Sequence, residues 1–115
     1  MRITPSTVRQ MADYAKEVSR GAFWLYGHRP PIDSFGARYI DGATETVWTG
    51  PNGAARAAAY YIGIIDTYRI LMGSGEYRDD VKAAREAALA RPSGKEWRVR
   101  GMSDARKAIR AAEGK

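Results

Sequence analysis

The side chains best suited to chemistry are the cations near the C-terminal end of the chain. The 115 residues contain 19 Lys and Arg against 13 Asp and Glu, which gives a net charge of +6. Residues 91 to 115 hold eight cations and three carboxylates, so this segment carries +5 and the first 90 residues only +1. A charge asymmetry of this kind is typical of a surface that binds an anionic partner.

The pattern of this segment predicts a strand followed by a helix. Lys95 to Arg100 alternates between polar and apolar side chains, which favours a strand with Trp97 on the core side. Gly101 to Ser103 then suggests a turn, with Ser103 capping a helix from Asp104 to Glu113. If the helix folds beside the strand, six cations form one candidate anion-binding patch: Lys95, Arg98, Arg100, Arg106, Lys107 and Arg110. Guanidinium and ammonium groups bind phosphates by charge attraction and counterion release.

Catalysis has little support in the sequence. His28 is the single histidine and could act as a general base with Asp33, but a histidine before two prolines is more typical of a loop. The chain has no cysteine and no metal-ligand spacing, which excludes disulfides and thiolate chemistry. The turn at Gly50 to Gly53 lacks the Lys-Ser/Thr pair of a phosphate-binding loop. We therefore expect no enzymatic activity, no metal and no cofactor.

The longest helical signal runs from Asn52 to Met72 and predicts a central core helix. Asn52 can cap it, a run of alanines follows, and Gly73 supplies a stop. Its apolar residues cover nearly the whole circumference, which is typical of a buried helix and leaves open a homodimer through a spare face. Its uncharged run is far shorter than the roughly 20 residues that cross a membrane.

One carboxylate on this helix stands out. Asp66 is expected to be buried among apolar neighbours, with Arg56 or Arg69 as its ion-pair partner. A structural ion pair is the ordinary interpretation, although a buried carboxylate with a perturbed pKa would also be a candidate site.

The other elements complete an α+β prediction. Thr4 and Pro5 begin a first helix that ends at Gly21, and Ala22 to Gly27 fits either a further helical turn or a short strand. Phe35 to Trp48 is a hairpin signal around an Asp-Gly turn, and Glu76 to Ala90 is a surface helix. The expected fold is one domain over residues 1–115 in the order α-β-β-α-α-β-α, with a small antiparallel sheet packed on the central helix.

Two functions fit this prediction. The leading one is a non-enzymatic binding module that holds nucleic acid, as in DNA binding, or another polyanion on its C-terminal surface. The alternative is a protein–protein interaction or inhibitor module, of the kind that viruses and mobile elements carry. Such a module would dock on an acidic or nucleic-acid-binding site of a host protein. The N-terminus lacks the apolar core of a signal peptide, which favours a cytoplasmic location.

Overall fold

The described part of the protein is entirely helical. The computed structural model describes residues 3–26, 53–72, 77 and 79–113. The helices in these ranges are α1 Pro5–Tyr26, α2 Gly53–Met72, α3 Asp79–Leu89 and α4 Pro92–Glu113. Since the described ranges contain no strand, the α+β fold expected from the sequence is wrong there. The predicted hairpin from Phe35 to Trp48 lies outside the described residues.

The prediction of a central helix is confirmed by α2. It makes its most extensive contacts with α4 and α1, and it also packs on α3. Its own chain buries every residue from Ala57 to Tyr68, so this stretch leaves no exposed apolar face for a second copy. Among the described helices, none combines the length and the apolar character that a membrane crossing requires.

Helix α1 begins at the position predicted from its N-terminal cap but ends later than the sequence predicted. The Thr7 backbone N–H donates to the Thr4 side-chain oxygen at 3.3 Å, and the Thr4 N–H donates to the Thr7 side-chain oxygen at 3.3 Å. The predicted end at Gly21 is wrong, since the helix continues to Tyr26 and includes residues 22–26 that the sequence left undecided. A glycine inside a helix costs only about 1 kcal/mol relative to alanine, which is too little to end it.

Helix α3 lies within its predicted bounds, and a tight turn joins it to α4. The predicted span was Glu76 to Ala90, and Tyr77 is not helical. The Arg91 N–H donates to the Ala88 carbonyl at 3.4 Å and the Gly94 N–H to the Arg91 carbonyl at 3.0 Å, which closes the turn. The chain therefore enters α4 directly, with Pro92 in the first turn where its missing N–H costs nothing.

The predicted strand from Lys95 to Arg100 and the turn after it are wrong, because α4 is one continuous helix. The alternation of polar and apolar residues from 95 to 100 is too short to distinguish a strand from a helix, but the longer stretch from 94 to 109 has the spacing of a helix. Inward-facing positions recur at spacings of three and four residues, as in a helix with one buried side. They are Gly94, Arg98, Gly101, Ala105 and Ile109.

Helices α2 and α4 touch through their backbones at two glycines. A Cβ atom added to Gly101 would overlap the carbonyl oxygen of Tyr60, and one added to Gly63 would overlap that of Arg98. The Gly63 Cβ would also lie 2.8 Å from the Met102 nitrogen. Because these neighbours are backbone atoms, they cannot move aside as a flexible side chain would.

We expect Gly101→Ala to lower the melting temperature. Helix propensity alone would make this change stabilising by about 0.5–1 kcal/mol. The overlap with the Tyr60 carbonyl must instead separate the two helices, and overpacking of this kind costs about 1–3 kcal/mol. The direction of the change in melting temperature, measured by thermal unfolding, therefore shows whether helix propensity or the overlap with the Tyr60 carbonyl is larger. Ser103→Ala, on the partly exposed side of the same helix, is the control and should leave the melting temperature unchanged or slightly raised.

Candidate polyanion-binding surface

The six candidate cations all lie on α4, but they do not form one patch. Arg98 points inward, with its Nε 2.8 Å from Asp66 Oδ2 on α2. Residues two apart share a face of a strand but not of a helix, so the expectation that Arg98 and Arg100 share a surface is wrong. Lys95, Arg100 and the three cations of the C-terminal turns are exposed: Arg106, Lys107 and Arg110.

These five exposed residues form what we call the cationic side of α4. Lys95 and Arg106 are 11 residues apart and Arg106 and Arg110 four apart, which places all three on one side of the helix. Arg100 and Lys107 are seven residues apart on the neighbouring side. At 1.5 Å per residue the set extends over about 22 Å. The arrangement is thus an elongated row and not the compact patch that the sequence predicted.

One member of the row is partly neutralised. A terminal guanidinium nitrogen of Arg100 lies 2.8 Å from Glu96 Oε1, one helical turn away. The Arg100 guanidinium also lies over the Trp97 ring, 4.1 Å from its centroid. Both partners are on α4 and the ion pair is exposed, so the pair contributes little to stability.

The exposed charges of the described residues are sorted by helix. The cationic side of α4 has five cations against one exposed carboxylate, Glu96. Among the charged side chains of α1 and α3 whose exposure the structure describes, the exposed ones are two cations, Arg9 and Lys82, and four carboxylates: Asp13, Glu17, Asp79 and Glu86. Asp104 of α4 is half-buried and accepts a hydrogen bond from the Tyr60 hydroxyl of α2, so its negative charge lies beside the contact with α2. Among the exposed side chains that the structure describes, positive charge is therefore most concentrated along α4.

A second group of charges converges on the buried carboxylate of Asp66. Arg85 of α3 donates to Oδ2 at 3.0 Å, Arg98 of α4 donates to the same oxygen, and the Tyr77 hydroxyl donates to Oδ1. Arg69, one of the two partners expected from the sequence, lies instead over the Tyr77 ring, 4.2 Å from its centroid. The actual arginine partners are 19 and 32 residues away in sequence, so no local pattern could have identified them.

The network also reaches the remaining helix. The Tyr77 ring stacks on Tyr14 of α1, with 5.8 Å between ring centroids. All four described helices therefore meet at or next to Asp66.

The protonation states of this network suit a structural role. Burial by itself would raise the pKa of Asp66, but the hydrogen bonds from Arg85, Tyr77 and Arg98 and the charge of Arg85 lower that pKa below its usual value. Burial and the bond to Asp66 raise the pKa of Tyr77. Both pKa values move away from neutrality, whereas a general acid or base needs one near the working pH. The ionised carboxylate therefore holds three hydrogen bonds, two from arginines of α3 and α4 and one from Tyr77, which lies outside the helices.

The other candidate chemistry is not supported by the described residues. His28 and Asp33 lie outside them. Within the described ranges, no group of three or more His, Asp or Glu side chains is placed to hold a metal ion.

We expect Asp66→Asn to lower the free energy of unfolding by about 3 kcal/mol, the low end of the range for breaking a buried ion pair. The amide leaves two guanidinium groups without a counter-charge. The loss is not larger because Arg85 and Arg98 keep side-chain exposures of 31% and 29%. Urea denaturation measures the change. Asp13→Asn, the same substitution at an exposed site of α1, should stay within about 0.5 kcal/mol of the unchanged protein.

The same residue predicts a specific pH dependence. Because folding lowers the pKa of Asp66 from its ordinary value of 3.8, its contribution is complete above that value and is lost as pH falls below it. The difference in unfolding free energy between the unchanged protein and Asp66→Asn should stay constant from pH 7 to 5. Below pH 3.8 it should shrink by about 1.4 kcal/mol per pH unit. A difference that already shrinks between pH 7 and 5 would mean that the folded pKa is raised instead.

Comparison with known proteins gives no functional precedent. No family model matches the chain, and no curated protein or solved structure is significantly similar to it. The function is therefore inferred from the described helices alone.

Proposed function

We propose that this protein is a non-enzymatic binding module that holds nucleic acid or another polyanion along the cationic side of α4. The observation that carries the proposal is the sorting of charge among the exposed side chains that the structure describes, with five cations against one carboxylate on α4 and two cations against four carboxylates on α1 and α3. Lys and Arg neutralise phosphates and release their condensed counterions, which is the main source of affinity in sequence-independent binding.

The length of the row supports an extended ligand. The five exposed cations extend over about 22 Å of α4, so different phosphates of one duplex can contact different members of the row. A single small anion would engage only one or two of them.

Binding without sequence preference is what this surface favours. Phosphate contacts position a protein on the duplex but carry no base information. Apart from the cations, the described exposed side chains on this part of α4 are Glu96 and Val99. Neither provides the bidentate amide or guanidinium contact through which a base edge is usually recognised.

A second candidate function is docking on an acidic protein surface. The observation that favours it is Val99, a β-branched apolar side chain with 60% exposure on the same side of α4 as Lys95 and Arg106. Exposed apolar side chains surrounded by charge are a feature of protein interfaces. The basic lining of a nucleic-acid-binding site would repel a row of cations, so the charges of α4 favour an acidic protein surface as the docking site.

We expect affinity for a 20-base-pair DNA duplex to fall steeply with salt. Four phosphate contacts give a slope of about −3.6 in log K against log salt, so binding should weaken on the order of 10²-fold between 50 and 200 mM NaCl. Lys95→Ala/Lys107→Ala removes two of the contacts and should reduce the slope by about 2. Fluorescence anisotropy with labelled duplex, and with single-stranded RNA of equal charge, gives both quantities.

The matched control is Arg9→Ala/Lys82→Ala, which removes the same charge from α1 and α3 and should leave the slope unchanged. Equal losses in the two double variants would show that only net charge matters, and the proposed surface would be wrong. A tight one-to-one complex with an acidic protein, together with no measurable affinity for DNA or RNA, would favour the second candidate.

A further inference from the structure

A groove separate from the middle of the cationic side lies between α2 and α4. Its volume is about 320 Å³, and its lining is Thr67, Ile70, Arg106, Ile109 and Arg110. Thr67 and Ile109 are buried and form the floor, whereas Ile70 is 72% exposed and forms one wall. The exposed Ile70 is unusual on α2, whose residues from Ala57 to Tyr68 are all buried.

The two walls of this α2–α4 groove differ in chemistry. Ile70 makes the α2 wall apolar, and the α4 wall carries two arginines one turn apart. The Arg110 Nε donates to the Arg106 backbone carbonyl at 3.4 Å, which directs the Arg110 side chain back along the helix towards Arg106. Among the residues whose side chains the structure describes, the lining contains no carboxylate. A ligand that satisfies both walls must carry a negative group and an aliphatic group next to each other.

We propose that the α2–α4 groove binds a small amphiphilic anion, with its aliphatic chain against Ile70 and Ile109 and its anionic head group between Arg106 and Arg110. The volume lies within the range of about 300–1,000 Å³ that small-molecule sites occupy. Guanidinium groups are the cations best suited to a phosphate or carboxylate head, because they can donate two parallel hydrogen bonds.

Other occupants fit less well. A stable protein interface buries about 800 Å² on each partner with few charges in its core, and five residues with two arginines do not provide that. A second copy related by a twofold axis would bring the same arginines against each other. A nucleic acid backbone supplies the negative charge but no aliphatic chain for Ile70.

The test uses octyl phosphate below its micelle concentration and the isoleucine methyl groups of the full chain as NMR reporters. We expect saturable shifts at Ile70 and Ile109, while the core methyls of Ile62 and Ile64 do not move. Octyltrimethylammonium, with a similar tail and the opposite charge, and inorganic phosphate, with the head group alone, should each bind about tenfold more weakly or worse.

Two variants test the two walls separately. Ile70→Ser removes the apolar wall, and Arg106→Gln/Arg110→Gln removes the charge; each should weaken octyl phosphate by about tenfold or more. Ile70→Ser should not unfold the protein, since the side chain is already exposed, and an unchanged melting temperature checks this. Lys95→Ala/Lys107→Ala is the control that should leave octyl phosphate binding intact.

The proposal does not depend on polyanion binding, and the variants separate the two. Ile70→Ser should weaken the binding of octyl phosphate and leave the binding of the DNA duplex unchanged. Lys95→Ala/Lys107→Ala should weaken the binding of the DNA duplex and leave the binding of octyl phosphate unchanged. The groove proposal is overturned if inorganic phosphate binds as well as octyl phosphate, if Ile70→Ser has no effect, or if shifts spread evenly over all isoleucine methyls. Binding only to anionic vesicles, with none to monomeric octyl phosphate, would also overturn it and indicate a membrane surface instead.

Discussion

The contact of two helix backbones at Gly63 and Gly101 is the constraint on which the rest of this structure depends. Tyr60 and Asp66 lie three residues before and three residues after Gly63 on α2. Their hydrogen-bond partners on α4, Asp104 and Arg98, lie three residues after and three residues before Gly101. Tyr60 bonds Asp104, and Asp66 pairs with Arg98. The close approach brings both polar pairs within hydrogen-bonding distance, so a larger residue at either glycine would lengthen two cross-helix bonds as well as displace the backbone.

The buried carboxylate then determines which cations of α4 reach solvent. Asp66 is buried on a largely apolar helix, and an unpaired charge there would cost several kcal/mol. Arg85 and Arg98 supply the compensating charge and are partly buried by doing so. With Arg98 turned inward, the helical repeat places the remaining cations of α4 on the opposite sides. The pairing of Arg98 with Asp66 and the exposure of the other α4 cations therefore both follow from the way α4 is rotated against α2.

Sequence patterns predicted the helices that depend on neighbouring residues, but they did not predict the contacts between residues far apart in the chain. The Thr4 cap and the apolar circumference around Tyr61 and Ile65 identified the start of α1 and the core position of α2. The alternation at residues 95–100 indicated a strand because six residues fit both periods, and Gly101 was interpreted as a turn. What makes Gly101 necessary is the carbonyl of Tyr60, 41 positions earlier, and no pattern near Gly101 reports that contact.

The candidate site shows the same limit. The exposure of four α4 cations follows from their residue type and was predicted; they are Lys95, Arg106, Lys107 and Arg110. That Arg98 instead turns inward to pair with Asp66 can be seen only once α2 and α4 are packed together. The α2–α4 groove was not predicted at all. Ile70 and Ile109 are 39 positions apart, and each alone is an ordinary apolar residue on a helix. Only the packing of α2 against α4 joins them to two arginines.

Arg106 and Arg110 belong to both proposed surfaces, and this overlap has a thermodynamic consequence. An anion seated in the groove would neutralise the C-terminal end of the cationic side and leave Lys95, Arg100 and Lys107 for a polyanion. Removing two of about four phosphate contacts weakens polyanion binding and flattens its salt dependence. Because coupling between two ligands is reciprocal, a bound polyanion would weaken the groove's ligand by the same factor. If both proposed ligands bind, the geometry of α4 makes them antagonists through shared charge, with no change of conformation required.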